Sequence, residues 1–111
     1  MDWISLTATD QIDQLVEKSK TVPQVIFKHS TRCGTSAMVL SRFERAQELP
    51  GADYYFLDLI RFRQLSNLVS DRFQVPHESP QLLLIKNGAC VYDESHMGIT
   101  IDELTEQTAQ S

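Results

Sequence analysis

Two residues, Asn87-Gly88, separate the apolar runs 81–86 and 89–92. A two-residue type I′ turn needs positive φ at both central positions, and Asn-Gly is a favoured pair for it. The two runs are therefore predicted to be antiparallel strands of one hairpin. Downstream of Gly98, Thr100 and Glu103 fit the S/T-x-x-E capping box, and Ile99 and Leu104 stand where its hydrophobic staple belongs. A closing helix over about 101–107 follows.

Upstream, the hydrophobic period switches between two and three to four residues. Residues 3–6 read as a short first strand, and Ile12, Leu15 and Val16 give a helical face between Asp10 and Lys20. Residues 22–28, rich in branched side chains, read as a buried strand. Val39, Leu40, Phe43 and Ala46 then mark a second helix that reaches Leu49 and is stopped by Pro50-Gly51. Residues 54–59 form the next strand, and Leu65, Leu68, Val69 and Phe73 the inner face of a third helix. The order is βαβαβαββα. Right-handed crossovers and short connections make this an α/β fold with a mixed central sheet and helices on both faces.

Residues 1–111 are enough for one domain with a real core and too few for two. The 15 acidic against 10 basic residues give a net charge of −5, with no Lys/Arg cluster. Neither nucleic acid nor an anionic membrane has electrostatic support as a partner. The start Met1-Asp2-Trp3-Ile4 lacks the features of a signal peptide, and no apolar run approaches membrane-spanning length, so a cytoplasmic location is expected. In that compartment two cysteines are read as free thiols, which makes reactivity the question to ask of them.

Cys33 lies where the buried strand ends and the second helix begins. Unpaired N–H groups and the positive end of the helix dipole converge there, favouring an anion and lowering a thiol's pKa. Moving a thiol from about 8.5 to about 6 requires roughly 3.4 kcal/mol of differential stabilisation. An exposed helix dipole supplies only roughly 0.3–1 kcal/mol, so hydrogen bonds must add the rest. The N–H groups of Thr35 and Ser36 and the Ser36 hydroxyl are the candidates. Ser36 also occupies the place of the second thiol in a C-x-x-C pair. Without that thiol a mixed disulfide on Cys33 has no local resolving partner, and a monothiol exchange with an external thiol is expected.

The segment 79–88, Ser-Pro-Gln-Leu-Leu-Leu-Ile-Lys-Asn-Gly, resembles the thioredoxin segment in which a cis-proline introduces the fourth strand. With a cysteine at a strand–helix junction about fifty residues earlier, the resemblance spans most of the chain and implies a single thioredoxin-like domain. The blocks 29–33 (His-Ser-Thr-Arg-Cys) and 77–81 (His-Glu-Ser-Pro-Gln) resemble a narrower group, the YtxJ-like, bacilliredoxin-like proteins of the bacillithiol system. That resemblance implies a thiol–disulfide oxidoreductase in the stress response, removing a low-molecular-weight thiol from capped protein cysteines. Its co-substrate is then a bacillithiol-type thiol, its partners S-thiolated client proteins, and it needs no permanently bound cofactor or metal. Cys33 is the nucleophile, Pro80 is a cis-proline that shapes the substrate groove, and Ser79 and Gly98 line it. Bacillithiol carries carboxylates, so Arg32, Lys28 and His77 are the cations expected beside Cys33.

Two departures from better-known thioredoxins shape this reading. Arg32 replaces the aromatic residue that usually precedes the cysteine, and Phe27 lies near the place of the buried acid, which disfavours a dithiol reductase. Cys33-Gly34-Thr35-Ser36 also resembles the Cys-Gly-Phe-Ser of monothiol glutaredoxins, leaving an iron–sulfur carrier as one alternative. A non-enzymatic peptide-binding module is the other. Cys90 falls at the far end of the strand that starts at Pro80, roughly 20 Å away. A disulfide needs Cα atoms within roughly 7 Å, so Cys90 reads as a buried small hydrophobe. His29 lies next to the loop of Cys33, His96 is expected only to pack or hydrogen-bond, and no histidine pair has metal-ligand spacing. Asp58 is either a buried acid or the exposed end of its strand.

Overall fold

The computed structural model describes residues 1–110. Its elements are β1 (Ile4–Ser5), α1 (Asp10–Lys18), β2 (Gln24–His29), α2 (Gly34–Arg45), β3 (Asp53–Asp58), α3 (Arg63–Phe73), β4 (Gln81–Lys86), β5 (Ala89–Ser95) and α4 (Ile101–Ala109), with a 3-10 turn over His96–Gly98. They build one five-stranded sheet in the order β1-β3-β2-β4-β5. β2 pairs parallel with β3 and antiparallel with β4, so the sheet is mixed, as the chain's alternation predicts.

Side chains of a strand alternate between the two faces, and this alternation divides the core. Val25 and Phe27 of β2 pack with Val39 and Phe43 of α2 and Leu104 of α4. Ile26, one residue out of step, packs with Ile12 and Leu15 of α1 and Leu65, Val69 and Phe73 of α3. The sheet thus lies between an α2/α4 layer and an α1/α3 layer. On the α2 side the indole of Trp3 sits among Phe27, Phe43, Tyr54 and Phe56, with ring centroids 5.8, 5.4, 6.3 and 5.7 Å away. Its Nε1 donates to Glu44 Oε1 at 3.2 Å.

Local signals in the C-terminal third have their predicted geometry. Asn87 and Gly88 have φ of 52° and 80°. The Glu103 N–H donates to Thr100 Oγ1 at 3.2 Å, and Ile99 and Leu104 are both buried. The other half of the expected capping box is not made, since Glu103 Oε1 accepts Gln107 Nε2 at 3.0 Å instead of the Thr100 N–H. Lys86 Nζ donates to the carbonyls of Gln107 and Thr108, supplying the cation and donors that the end of α4 lacks.

Three expectations are corrected. α2 stops at Arg45, with Ala46 already extended at ψ 130°, rather than running to Leu49 and Pro50-Gly51. β5 continues past Tyr92 to Ser95, because β4 is long enough to pair along its whole length. Leu68 is 39% exposed, since the stripe of Leu65, Val69 and Phe73 with Ser66 already faces the sheet. Beyond these, β5 carries a bulge that no sequence signal announced. Leu84 pairs with Tyr92 but Ile85 with Cys90, so Val91 is an extra residue. Tyr92 therefore packs on the α2 side while Cys90, two positions earlier, packs on the α1/α3 side.

Candidate functional site

The antiparallel pairing of Lys28 with Gln81 brings the end of β2 and the start of β4 to one edge of the sheet. The loop to α2 leaves from the first and the loop from α3 enters at the second, so Cys33 and Pro80 share that edge. Cys90, opposite Ile85, stands at the other edge and on the other face. Burial and, less strongly, the charge of Asp93 push its thiol up to about 11, against the pull of backbone hydrogen bonds from Tyr92 and Leu84.

Cys33 is the N-cap of α2, with extended backbone (φ −113°, ψ 116°) and a half-buried side chain. Its N–H donates to the Ser30 carbonyl at 3.2 Å and its carbonyl accepts from Ala37 at 3.2 Å. Arg32 N–H donates to Ser30 Oγ at 3.3 Å, closing a tight turn before the cysteine. Gly34, Thr35 and Ser36 occupy the first turn, where the helix offers their N–H groups no acceptor. Thr35 is half-buried there.

Ser36 is fully buried behind the cysteine. Its Oγ accepts the N–H of Ser30 at 3.1 Å and lies 2.6 Å from Nδ1 of His29. Burial holds the His29 imidazole below its ordinary range, opposed by the charge of Asp58, its register partner on β3. With the ring proton on Nε2, Nδ1 accepts and the Ser36 hydroxyl donates to it; with the proton on Nδ1 the direction reverses. Nothing in the sequence pairs these two residues. Asp58 itself stands at the strand end, where Oδ1 accepts the N–H groups of Ile60 and Arg61.

Facing Cys33, the Ser79–Pro80 peptide bond is cis. Pro80 is buried and Ser79 half-buried, with the Ser79 hydroxyl sealed from solvent and unpaired. The Pro80 carbonyl accepts the N–H of His96 at 3.0 Å, tying the proline loop to the turn that contains Gly98. Gly98 is exposed, and a Cβ there would stand 2.8 Å from the Glu94 carboxyl carbon. Glu94 Oε1 in turn accepts the Ser95 N–H at 2.9 Å. His96 Nε2 lies 3.7 Å from Glu78 Oε2, a contact the sequence did not announce. From α2, Arg42 Nη1 donates to the carbonyls of Met97 at 2.9 Å and Ile99 at 2.6 Å.

The three expected cations separate. Arg32 is exposed beside Cys33 and, among the described residues, makes no ion pair. Lys28 points the other way, being one residue out of step with His29, and is fully buried on the α3 side. Its Nζ donates to the Ser66 carbonyl at 3.0 Å and to Ser70 Oγ at 2.8 Å, and stands 3.3 Å from His77 Nδ1. Burial first, then the nearby Arg63 charge, lower its pKa to about 8. The His77 ring follows it, with Nδ1 also 3.4 Å from Ser66 Oγ. Burial, then Lys28 and Arg63, hold that imidazole below its usual range, against Glu78. Lys28 and His77 are thus corrected from substrate-facing cations to a polar cluster beneath the sheet.

Among the described residues there is no group of three or more His, Cys, Asp or Glu placed to hold a metal. No helix among them is long and apolar enough to cross a membrane.

A family model described as monothiol bacilliredoxin BrxC matches residues 4–104. A solved structure described as a candidate oxidoreductase with a thioredoxin fold is 31% identical, with a TM-score of 0.78, covering 94% of this chain and 91% of that one. Thioredoxin of Malassezia sympodialis is similar in fold, at 19% identity and a TM-score of 0.75, over 97% of this chain and 92% of that one. Fasciola hepatica thioredoxin matches at 19% identity and a TM-score of 0.70, over 94% of each chain.

Proposed function

The chain belongs to the monothiol bacilliredoxin family, with a thiol–disulfide redox function, and from that premise we propose that it strips a bacillithiol-type cap from protein cysteines. One observation carries this: the position three residues after the N-cap cysteine holds a buried, doubly hydrogen-bonded serine instead of a second thiol.

The reaction follows from that arrangement. The Cys33 thiolate attacks the cap sulfur of a client–cap mixed disulfide, forming a Cys33–cap disulfide as the client–cap bond breaks. The client sulfur leaves as a thiolate and takes up a proton. With serine at position 36, the new disulfide persists until a second low-molecular-weight thiol attacks it and restores Cys33. Two caps depart as their disulfide, so the electrons come from that external thiol. In this reading the first-turn N–H groups of α2 stabilise the thiolate. Ser79, Pro80 and Gly98 border the groove, and Arg32 supplies its local positive charge.

The test is mass spectrometry of the protein mixed with a bacillithiol-capped client under limiting reductant. The expected result is release of free client thiol with one cap transferred to Cys33, and no transfer in Cys33→Ser. A client that stays capped, or an adduct that survives in Cys33→Ser, overturns the proposal. Brown colour and visible absorbance after anaerobic purification would favour the iron–sulfur alternative.

A further inference from the structure

Attack by Cys33 requires its thiol to lose a proton, and a buried polar pair, His29 and Ser36, lies at the same end of β2. His29 ends β2 and is 6% exposed, its ring centroid 5.1 Å from that of Phe56 and 5.9 Å from that of Phe27. Its Nδ1 has a single polar neighbour at 2.6 Å, the Ser36 hydroxyl. A hydroxyl carries one proton and two lone pairs. In the tautomer with its proton on Nε2, His29 takes the hydroxyl proton, and one lone pair takes the N–H of Ser30. One acceptor site on Oγ is left. The N-cap and the third helical position share the first turn, and in a capping box the side chain of each reaches the backbone N–H of the other. Cys33 and Ser36 hold those two positions; no hydrogen bond joins Cys33 Sγ to Ser36 Oγ in this structure, so the relay requires the thiol to turn onto that hydroxyl.

We propose that His29 receives the proton of the Cys33 thiol through the Ser36 hydroxyl. The Cys33 S–H proton passes to Ser36 Oγ as the Ser36 proton passes to His29 Nδ1. The products are a Cys33 thiolate, an intact Ser36 hydroxyl now donating to that sulfur, and an imidazolium donating to Ser36. In the reverse direction the same path returns the proton to the departing client thiolate, so no proton is gained or lost over the exchange. His29 is a positioning residue in this scheme, acting on the sulfur only through Ser36. It supplies on β2, two residues beyond Phe27, a proton acceptor that the strand otherwise lacks.

The surroundings support a ring that gives the proton back. Burial disfavours the imidazolium, while the Asp58 charge on β3 partly offsets this. From α2 the titratable group nearby is Cys33 itself. β4 contributes the uncharged Pro80 and Gln81 at this edge, and Lys28, next along β2, faces the opposite layer.

This inference deepens the proposed function, and its test uses no capped substrate, so the two fail separately. The readout is the pH profile of Cys33 alkylation by iodoacetamide, measured in a Cys90→Ala background. Glutamine at position 29 can accept the Ser36 hydroxyl proton but cannot bind a proton itself. A proton path therefore predicts that His29→Gln slows alkylation at neutral pH about tenfold and moves the profile upward, with the high-pH plateau unchanged. Ser36→Ala should do the same, and the double variant should add nothing further. A wild-type profile in folded His29→Gln would mean that the ring only packs. A second measurement needs no change at His29. The Nδ1 nitrogen resonance of His29 should titrate with the Cys33 thiol in the wild type, and that step should vanish in Cys33→Ser. A His29 titration identical in the two proteins overturns the proposal.

Discussion

Lys28 Nζ and His77 Nδ1 meet 3.3 Å apart beneath the sheet, on the face turned away from Cys33. A buried ammonium is tolerable there because three acceptors surround it: the Ser66 carbonyl, Ser70 Oγ and the neutral imidazole. The contact also ties β2 to the loop that carries Ser79 and Pro80.

This contact leaves a signature in stability against pH. The Lys28 pKa falls from 10.5 in the unfolded chain to about 8 in the folded one. Below about 8 both states hold the proton. Between about 8 and 10.5 the unfolded state holds it and the folded state has released it, so this residue's contribution to stability rises with pH. Urea unfolding of the wild type and of Lys28→Met at pH 7.5 and 10 should show a larger gap, in favour of the wild type, at pH 10. An equal gap at both values would refute the assignment.

The two cysteines should differ sharply under alkylation. With its thiol pushed up to about 11 and packed on the α1/α3 layer, Cys90 should stay unlabelled in the folded protein at pH 8. Cys33 should label, and Cys90 should follow only after denaturant is added. Peptide mapping of the labelled protein checks this, and faster labelling of Cys90 would reverse the site assignment.

Restoring a thiol at position 36 should change the reaction class. Ser36→Cys places a second sulfur three residues after the N-cap, so mild oxidation should close a local disulfide with Cys33 and cap adducts should cease to accumulate. Loss of the hydroxyl also removes the partner of His29 Nδ1 and of the Ser30 N–H, at a cost of about 1–3 kcal/mol. Thiol counting and denaturant titration measure the two effects separately.

Arg32 should discriminate between caps. Its guanidinium, without an ion pair among the described residues, can hold a carboxylate through two parallel hydrogen bonds. Arg32→Ala is expected to slow removal of a bacillithiol cap more than that of a mercaptoethanol cap. The difference should shrink with added salt, since at about 0.1 M screening already acts over roughly 10 Å. Equal slowing of both would place the effect on the Cys33 thiolate, and no effect on either would leave Arg32 a solvated charge.

What the sequence disclosed was local. Asn87-Gly88, Thr100 with Glu103, and the Cys33 junction are short-range patterns in which the residues that signal the geometry also make it. The β2 alternation is legible too, and at the strand's end it sets Lys28 and His29 on opposite faces. The bulge at Val91 was not legible, because it arises from pairing with β4 rather than from any preference of its own. Nor was the end of α2 at Arg45, four residues before the helix period runs out. The pairing of His29 with Ser36 lies across a turn whose shape no periodicity encodes.

The indole of Trp3 gives the chain a private spectroscopic channel. β1 is only two residues long, so the start of the chain is held as much by that ring, set among four aromatic neighbours and fastened to Glu44, as by its backbone. It is also the chain's single tryptophan. Its emission therefore originates inside the layer that carries α2. Loosening of that layer should register as a colour change in the fluorescence, whereas disturbance confined to the Lys28 side should leave it dark to the observer.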